Sequence, residues 1–165
     1  MKTLGAYAAI NAKGGFSPAE ALAWHEPLLN RRGGDYDPRV RVRIERGREM
    51  SAVEYIRLLA ARADFIRRFD AEAAAVDALV MPTLPLVAPP IAAFARDEDF
   101  WRINAKILRN TSIINFLDRC ALTIPIQPRG EAPVGLMLVE DHGRDERLLG
   151  IGLSVEAAVV DGRSR

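Results

Sequence analysis

The chain has one cysteine in 165 residues, Cys120. That excludes an intrachain disulfide and any cysteine-based metal set. Its place before an apolar run marks it as a small buried residue rather than a nucleophile, since His25 and His142 lie far off in sequence. Lysine is nearly as scarce: Lys2, Lys13 and Lys106 are the whole set. The serines are Ser17, Ser51, Ser112, Ser154 and Ser164, and none sits in a Gly/Ser-rich turn. Lys13-Gly14-Gly15 lacks the strand before it and the Ser/Thr after it that a phosphate loop needs, so it reads as a helix stop. No run approaches 18 apolar residues, which excludes an apolar membrane-spanning helix. Net charge is +1, so neither nucleic acid nor a membrane surface is an expected partner. The arginines of 31–48 are interleaved with Asp35, Asp37, Glu45 and Glu49, the pattern of a solvated face. The N-terminal residues lack the apolar core of a signal peptide, and the expected compartment is the cytoplasm. No cofactor or metal is implied.

What is present suits one folded domain over 1–165, with 1–15 and 161–165 as its expected frayed ends. Ser17-Pro18-Ala19-Glu20 reads as a capping box opening a helix toward Asn30, stopped by Gly33-Gly34. Asp37-Pro38 opens a short helix that Gly47 closes. Ser51-Ala52-Val53-Glu54 is a second capping box, and its helix runs to about Ala75. Val53, Ile56, Leu59, Ala63, Ile66 and Phe69 step along that helix as its expected buried face. The stretch from Ala95 to Asp118 is helix-length and amphipathic, and a last helix opens near Arg144. Between these lie three short apolar runs bounded by proline or turn residues: Val76–Met81, Leu122–Ile126 and Val134–Val139. They read as strands, the first and last buried on both faces. The fold class is α/β, a small mixed sheet of about three strands packed with helices. The expected core is Val53, Ile56, Leu59, Ile66, Leu79, Val80, Ile114, Leu122, Ile124, Leu136, Leu138 and Leu149.

The wording of these segments carries a further signal. Asp77 to Pro89 reads D-A-L-V-M-P-T-L-P-L-V-A-P. Asn110 to Asp118 reads N-T-S-I-I-N-F-L-D. A strand ending at Pro125, a P-V-G-L-M-L-V strand at Pro133–Val139 and a D-x-x-L-L helix start at Asp145 follow in order. Upstream stands Y-D-P-R-V-R-V-R-I, Tyr36 to Ile44. In order and spacing these segments resemble the C-terminal third of the amidase signature family. The resemblance implies a partial amidase-signature fold. It also implies descent from enzymes that hydrolyse or transfer carboxamides with a lysine, a serine held by a cis peptide bond and a nucleophilic serine. In that family all three lie upstream of the similar region, the serines in a Gly/Ser-rich stretch. No catalytic residue is therefore assigned to this chain, and the chain alone is expected to be inactive.

The resemblance also marks candidate binding residues. Arg32 falls where some members hold a substrate carboxylate. Asn110, Thr111 and Asn115 fall in a stretch that would line the amide pocket; read as residues alone, they equally serve to cap a helix end and satisfy backbone groups near Pro125. A family acidic position that holds an amino group falls at Ile107 or Leu108, which argues against an amino-acid amide substrate. The implied partners are the missing N-terminal amidase portion, in the same or a separate chain, a small amide only in the complete enzyme, and a second copy of this chain through an uncovered sheet edge. The alternative is a non-catalytic remnant acting as a self-associating interaction domain.

Overall fold

The computed structural model describes the backbone of residues 1–163 and the side chains of residues 1–159. Ser164 and Arg165, the end of the expected frayed tail, lie outside the described residues. The chain forms two compact units, Met1–Phe69 and Asp70 onward.

The first unit is helical. A 3-10 turn at Thr3–Ala6 leads into a single helical turn, α1 (Tyr7–Ile10). Thr3 is buried, and the Tyr7 ring stands 6.4 Å from that of Phe65. α2 is Ser17–Arg32, stopped by Gly33 as its composition predicts. Its start differs from the expected capping box. Phe16 is already helical, at φ −74 and ψ −37, so Ser17 lies inside the helix and caps nothing. Glu20 instead accepts a hydrogen bond from Tyr55 Oη at 2.8 Å. α3 (Pro38–Glu45) is capped by Asp37, whose carboxylate accepts from the Arg39 and Val40 amides at 2.8 and 3.3 Å. A 3-10 turn, Arg46–Glu49, follows. Gly47 is more than a stop. A Cβ there would stand 2.3 Å from the Pro18 carbonyl oxygen and 2.8 Å from Leu22 Cβ, so only glycine lets this turn lie against α2.

α4 runs Ala52–Ala73 and belongs to the first unit through Phe69. Its capping box forms as read: Ser51 N and Oγ donate to Glu54 at 2.9 Å, and Glu54 N donates back to Ser51 Oγ at 3.3 Å. Lys13 also donates to the Glu54 carboxylate. Chiefly through that bond, its pKa is held down at about 2. The buried face of α4 matches the expected one only at Phe69. Leu58, Phe65 and Phe69 are buried, the two phenylalanines completely. Val53, Ile56 and Leu59 are 55, 63 and 48% exposed. At 100° per residue the two sets lie on opposite sides of the helix.

The second unit holds the sheet, β1 (Leu79–Pro82), β2 (Cys120–Pro125) and β3 (Gly135–Glu140), in the order β1-β3-β2. Both pairings are antiparallel, so the sheet is not mixed. The two outer strands, each antiparallel to β3, therefore run in the same direction and are joined by the long connection of residues 83–119, while β2 returns directly to β3 as its antiparallel neighbour. β3 is the centre and is buried on both faces over Met137–Glu140, as its apolar run implies. β1 is an edge strand with one solvated face: Val76 and Val80 are exposed, and Leu79 and Met81 are half-buried. The apolar reading of Val76–Met81 therefore gave burial on two faces where the edge position leaves one.

α5 (Asp97–Phe116) and α6 (Asp145–Arg163) complete the unit. α6 lies on the sheet face that carries Ile124 and Leu138, which cluster with Leu148 and take in Cys120, Leu122, Ile151 and Val155. Leu149 turns outward and is exposed. Of the remaining expected core, Ile114 is buried, while Ile66, Leu122 and Leu136 are half-buried. Two arginines bind the strand ends together. Arg119, its side chain 5% exposed, pairs with Asp70 and Asp141. Arg147 pairs with the buried Glu140 and with Asp77.

Candidate functional site

The four candidate side chains fall in both units: Arg32 in the first, Asn110, Thr111 and Asn115 in the second.

Arg32 closes α2 and lines a shallow cleft of about 300 Å³ with Leu28, Asp35 and Tyr36. Its Nε donates to Asp35 at 2.6 Å. The pair is exposed and single-pronged, so it leaves the two terminal nitrogens for a second acceptor such as a carboxylate. Tyr36 is held from behind. Its hydroxyl lies 2.8 Å from His25 Nδ1, with the rings edge to face at 5.7 Å. His25 is thus a packed partner of Tyr36.

Asn110 is buried, and its Nδ2 donates to the Pro82 carbonyl at 2.7 Å. Its Oδ1 accepts from Arg109 Nε at 3.2 Å. It therefore satisfies the backbone at the end of β1. Thr111 donates to the Leu108 carbonyl of its own helix at 3.2 Å, and Asn115 is exposed. Thr111 and Asn115 share a face of α5, four residues apart, while Asn110 is rotated by about 100° or more from both.

At the same end of the sheet stand polar groups that the sequence did not single out. Thr83 N donates to the Gly135 carbonyl at 2.8 Å, which extends the β1–β3 ladder by one bond. Thr83 Oγ1 and Thr123 Oγ1 are 3.1 Å apart. They come from the two outer strands, whose backbones are about 9.6 Å apart at ordinary sheet spacing. The hydroxyls meet because the middle strand has no side chain there: a Cβ on Gly135 would be 2.6 Å from both Thr123 Cγ2 and Thr83 Oγ1. One hydroxyl donates to the other, and the accepting hydroxyl keeps a proton to offer to a carbonyl. Thr83 stands inside the P-T-L-P segment. A glycine opening an apolar strand was the available sign for Gly135.

The other reactive groups are engaged elsewhere. Ser51 is the cap of α4, and Ser154 Oγ donates to Gly150 O at 3.2 Å. The ladder brings Cys120 opposite Glu140, two residues from His142. Even so, Cys120 Sγ donates to the Asp141 carbonyl, and burial, with Asp145 beside it, pushes the thiol up. His142 is exposed and lies 3.2 Å from the Asp118 carbonyl. Among the described residues no group of three or more His, Cys, Asp or Glu is arranged to hold a metal, and no helix is long and apolar enough to cross a membrane.

The fold recurs in solved structures. A solved structure described as an amidase matches 86% of the chain at TM-score 0.70 and 26% identity, and the chain covers 33% of it. The structure of 6-aminohexanoate cyclic dimer hydrolase matches at TM-score 0.71 over 86% of the chain, with 18% identity, a likeness of fold alone. The model of the Amidase family matches residues 2–149, and the chain belongs to that family. Among curated relatives, 2-amino-5-chloromuconic acid deaminase of Comamonas testosteroni is 34% identical over 160 residues, 94% of this chain and 34% of that protein. A glutamyl-tRNA(Gln) amidotransferase subunit from Thermus thermophilus is 38% identical over 106 residues, 58% of this chain and 20% of that protein. The chain thus spans about a third or less of the length of these relatives.

Proposed function

We propose that this chain is the C-terminal portion of a carboxamide hydrolase and is inactive without a segment that supplies the serine and lysine chemistry. The observation that carries this reading is the pairing of a family match over 2–149 with a span of one third of the deaminase relative. In the completed enzyme a serine Oγ attacks the carboxamide carbon. Its proton passes to the departing nitrogen, ammonia or an amine leaves, and water then cleaves the acyl-serine ester. The chain's own part is to bind and shape. Within the first unit the terminal nitrogens of Arg32 are placed to take a carboxylate; within the second, the end of the sheet held by Asn110, with Thr83 and Thr123, forms part of the acyl pocket. Thr111 and Asn115 stand on the other face of α5 and serve only at its margin. With Ile107 and Leu108 where a carboxylate would hold an amino group, the substrate is an amide without an α-amino group. A cytoplasmic location goes with this reading.

The test is ammonia release from simple carboxamides. The purified chain alone gives none above buffer. Co-expression with the N-terminal two thirds of the Comamonas testosteroni relative gives activity that a serine-directed reagent abolishes. Serine-reagent-sensitive turnover by the chain alone overturns the reading. A second reading, a self-associating domain without catalysis, draws on the exposed Val53, Ile56 and Val80.

A further inference from the structure

α2 and the start of α4 enclose a groove of about 450 Å³ within the first unit. Its wall is built from small and apolar residues: Ala19, Leu22 and Ala23 of α2, then Gly47, Met50 and Ile56. Small residues on a helix face let a second backbone approach closely. The groove continues onto the outward side of α4, where Val53, Ile56, Ala60 and Ala63 form one arc of three helical turns, with Leu59 at its margin. Past Ala63 the arc gives way to Arg67 and Asp70, so the apolar strip has a defined end. The two charged residues lining the groove are already engaged: Glu26 pairs with Arg48 at 2.9 Å, and Glu20 accepts from Tyr55 at 2.8 Å.

We infer that this groove and strip seat one apolar helix from the segment that completes the amidase fold; this rests on the function proposed above. Three observations select that occupant. The strip is about three turns long, the footprint of a single helix. It offers far fewer large side chains than the roughly 20–30 residues a side of a free-standing interface, so a second copy would be weakly held. And the deaminase relative has two thirds of its length outside the match, which is where such a helix would come from.

The experiment uses the full chain, tagged, co-expressed with the N-terminal two thirds of the Comamonas testosteroni deaminase. Ile56→Arg and Ala23→Arg place a charge in the groove at exposed positions. Ile56→Ala removes apolar contact without adding charge, and Arg129→Glu in the exposed 127–134 turn is the control. Circular dichroism and thermal melts check that the variants fold as the wild type does. The expected result is a co-purifying pair whose affinity falls at least about tenfold with either arginine variant and less with Ile56→Ala, and is unchanged by the control. A pair that forms equally well with Ile56→Arg overturns this surface and leaves the completion reading standing. No pair with the folded wild type overturns both. A wild-type homodimer that Ile56→Arg disrupts gives the groove to a second copy and overturns the assignment.

Discussion

Two single residues set sharp local tests. Glu54 draws three hydrogen bonds from Ser51 and Lys13, and its pKa is held at about 2. A carboxylate lowered in the folded state stabilises above its unfolded value, near 4.3, and that stabilisation is lost as pH falls through the folded one. The melting temperature of Glu54→Gln should lie below that of the wild type by a constant margin above about pH 5. The margin should shrink between there and about pH 2 and vanish below it. Melts from pH 2 to 7 check this. Gly135 gives the second test. A methyl group there meets two threonines at 2.6 Å, so Gly135→Ala should destabilise by about 1–3 kcal/mol. Thr123→Ser removes one of the two clashing atoms and should restore part of the loss in urea titrations. Gly135 is marked only as a glycine opening a strand, and Thr83 only by the P-T-L-P wording. Their meaning lies in a contact across two strands, which no local pattern encodes.

At the scale of the element, boundaries were legible and orientation was not. Ser51, Asp37, Gly33 and the proline-bounded runs are local signals. They placed the five helices α2 to α6 and the three strands, most of their starts within a few residues of where they lie. α4 shows what a local signal leaves out. It carries two apolar arcs, and periodicity scores both alike. The arc of Val53, Ile56 and Leu59 looked regular, but the fully buried Phe65, which the expected face left out, and Phe69, which it included, decide the packing. The larger rings remove more surface from water and so set which side turns inward. The expected consequence is an asymmetry. Phe69→Ala should cost about 3–5 kcal/mol, whereas Ile56→Ala should fall within about 0.5 kcal/mol of wild type in the chain alone. Chemical denaturation of both variants measures it. The sheet misled in the same way: an apolar strand can be a covered centre, as β3 is, or an edge, as β1 is, and composition alone does not separate the two.

At the scale of the molecule, both units leave large apolar side chains in water. Val53 and Ile56 do so in the first, Val80, Ile91, Leu149 and Leu153 in the second. Exposed apolar side chains drive association where they lie side by side. Light scattering on the purified chain should therefore show a mass that rises with concentration in the tens of micromolar. Ile56→Arg should leave most of that rise in place, because the second unit carries its own exposed residues. A clean monomer throughout would mean that these side chains are spaced too widely to act together. The amidase relationship was legible from the order of five short segments. The two-unit organisation was not, because its boundary falls inside the unbroken helix α4.

The strand order β1-β3-β2 has a consequence for synthesis. The ribosome delivers the two outer strands first and the middle one last. Until Gly135–Glu140 emerge, Leu79–Pro82 and Cys120–Pro125 have no neighbour to bond, and both stay open to other chains. A nascent polypeptide halted before Gly135 would hold the makings of a sheet and no sheet. The moment of greatest exposure for this sheet is thus the interval before residues 135–140 leave the ribosome.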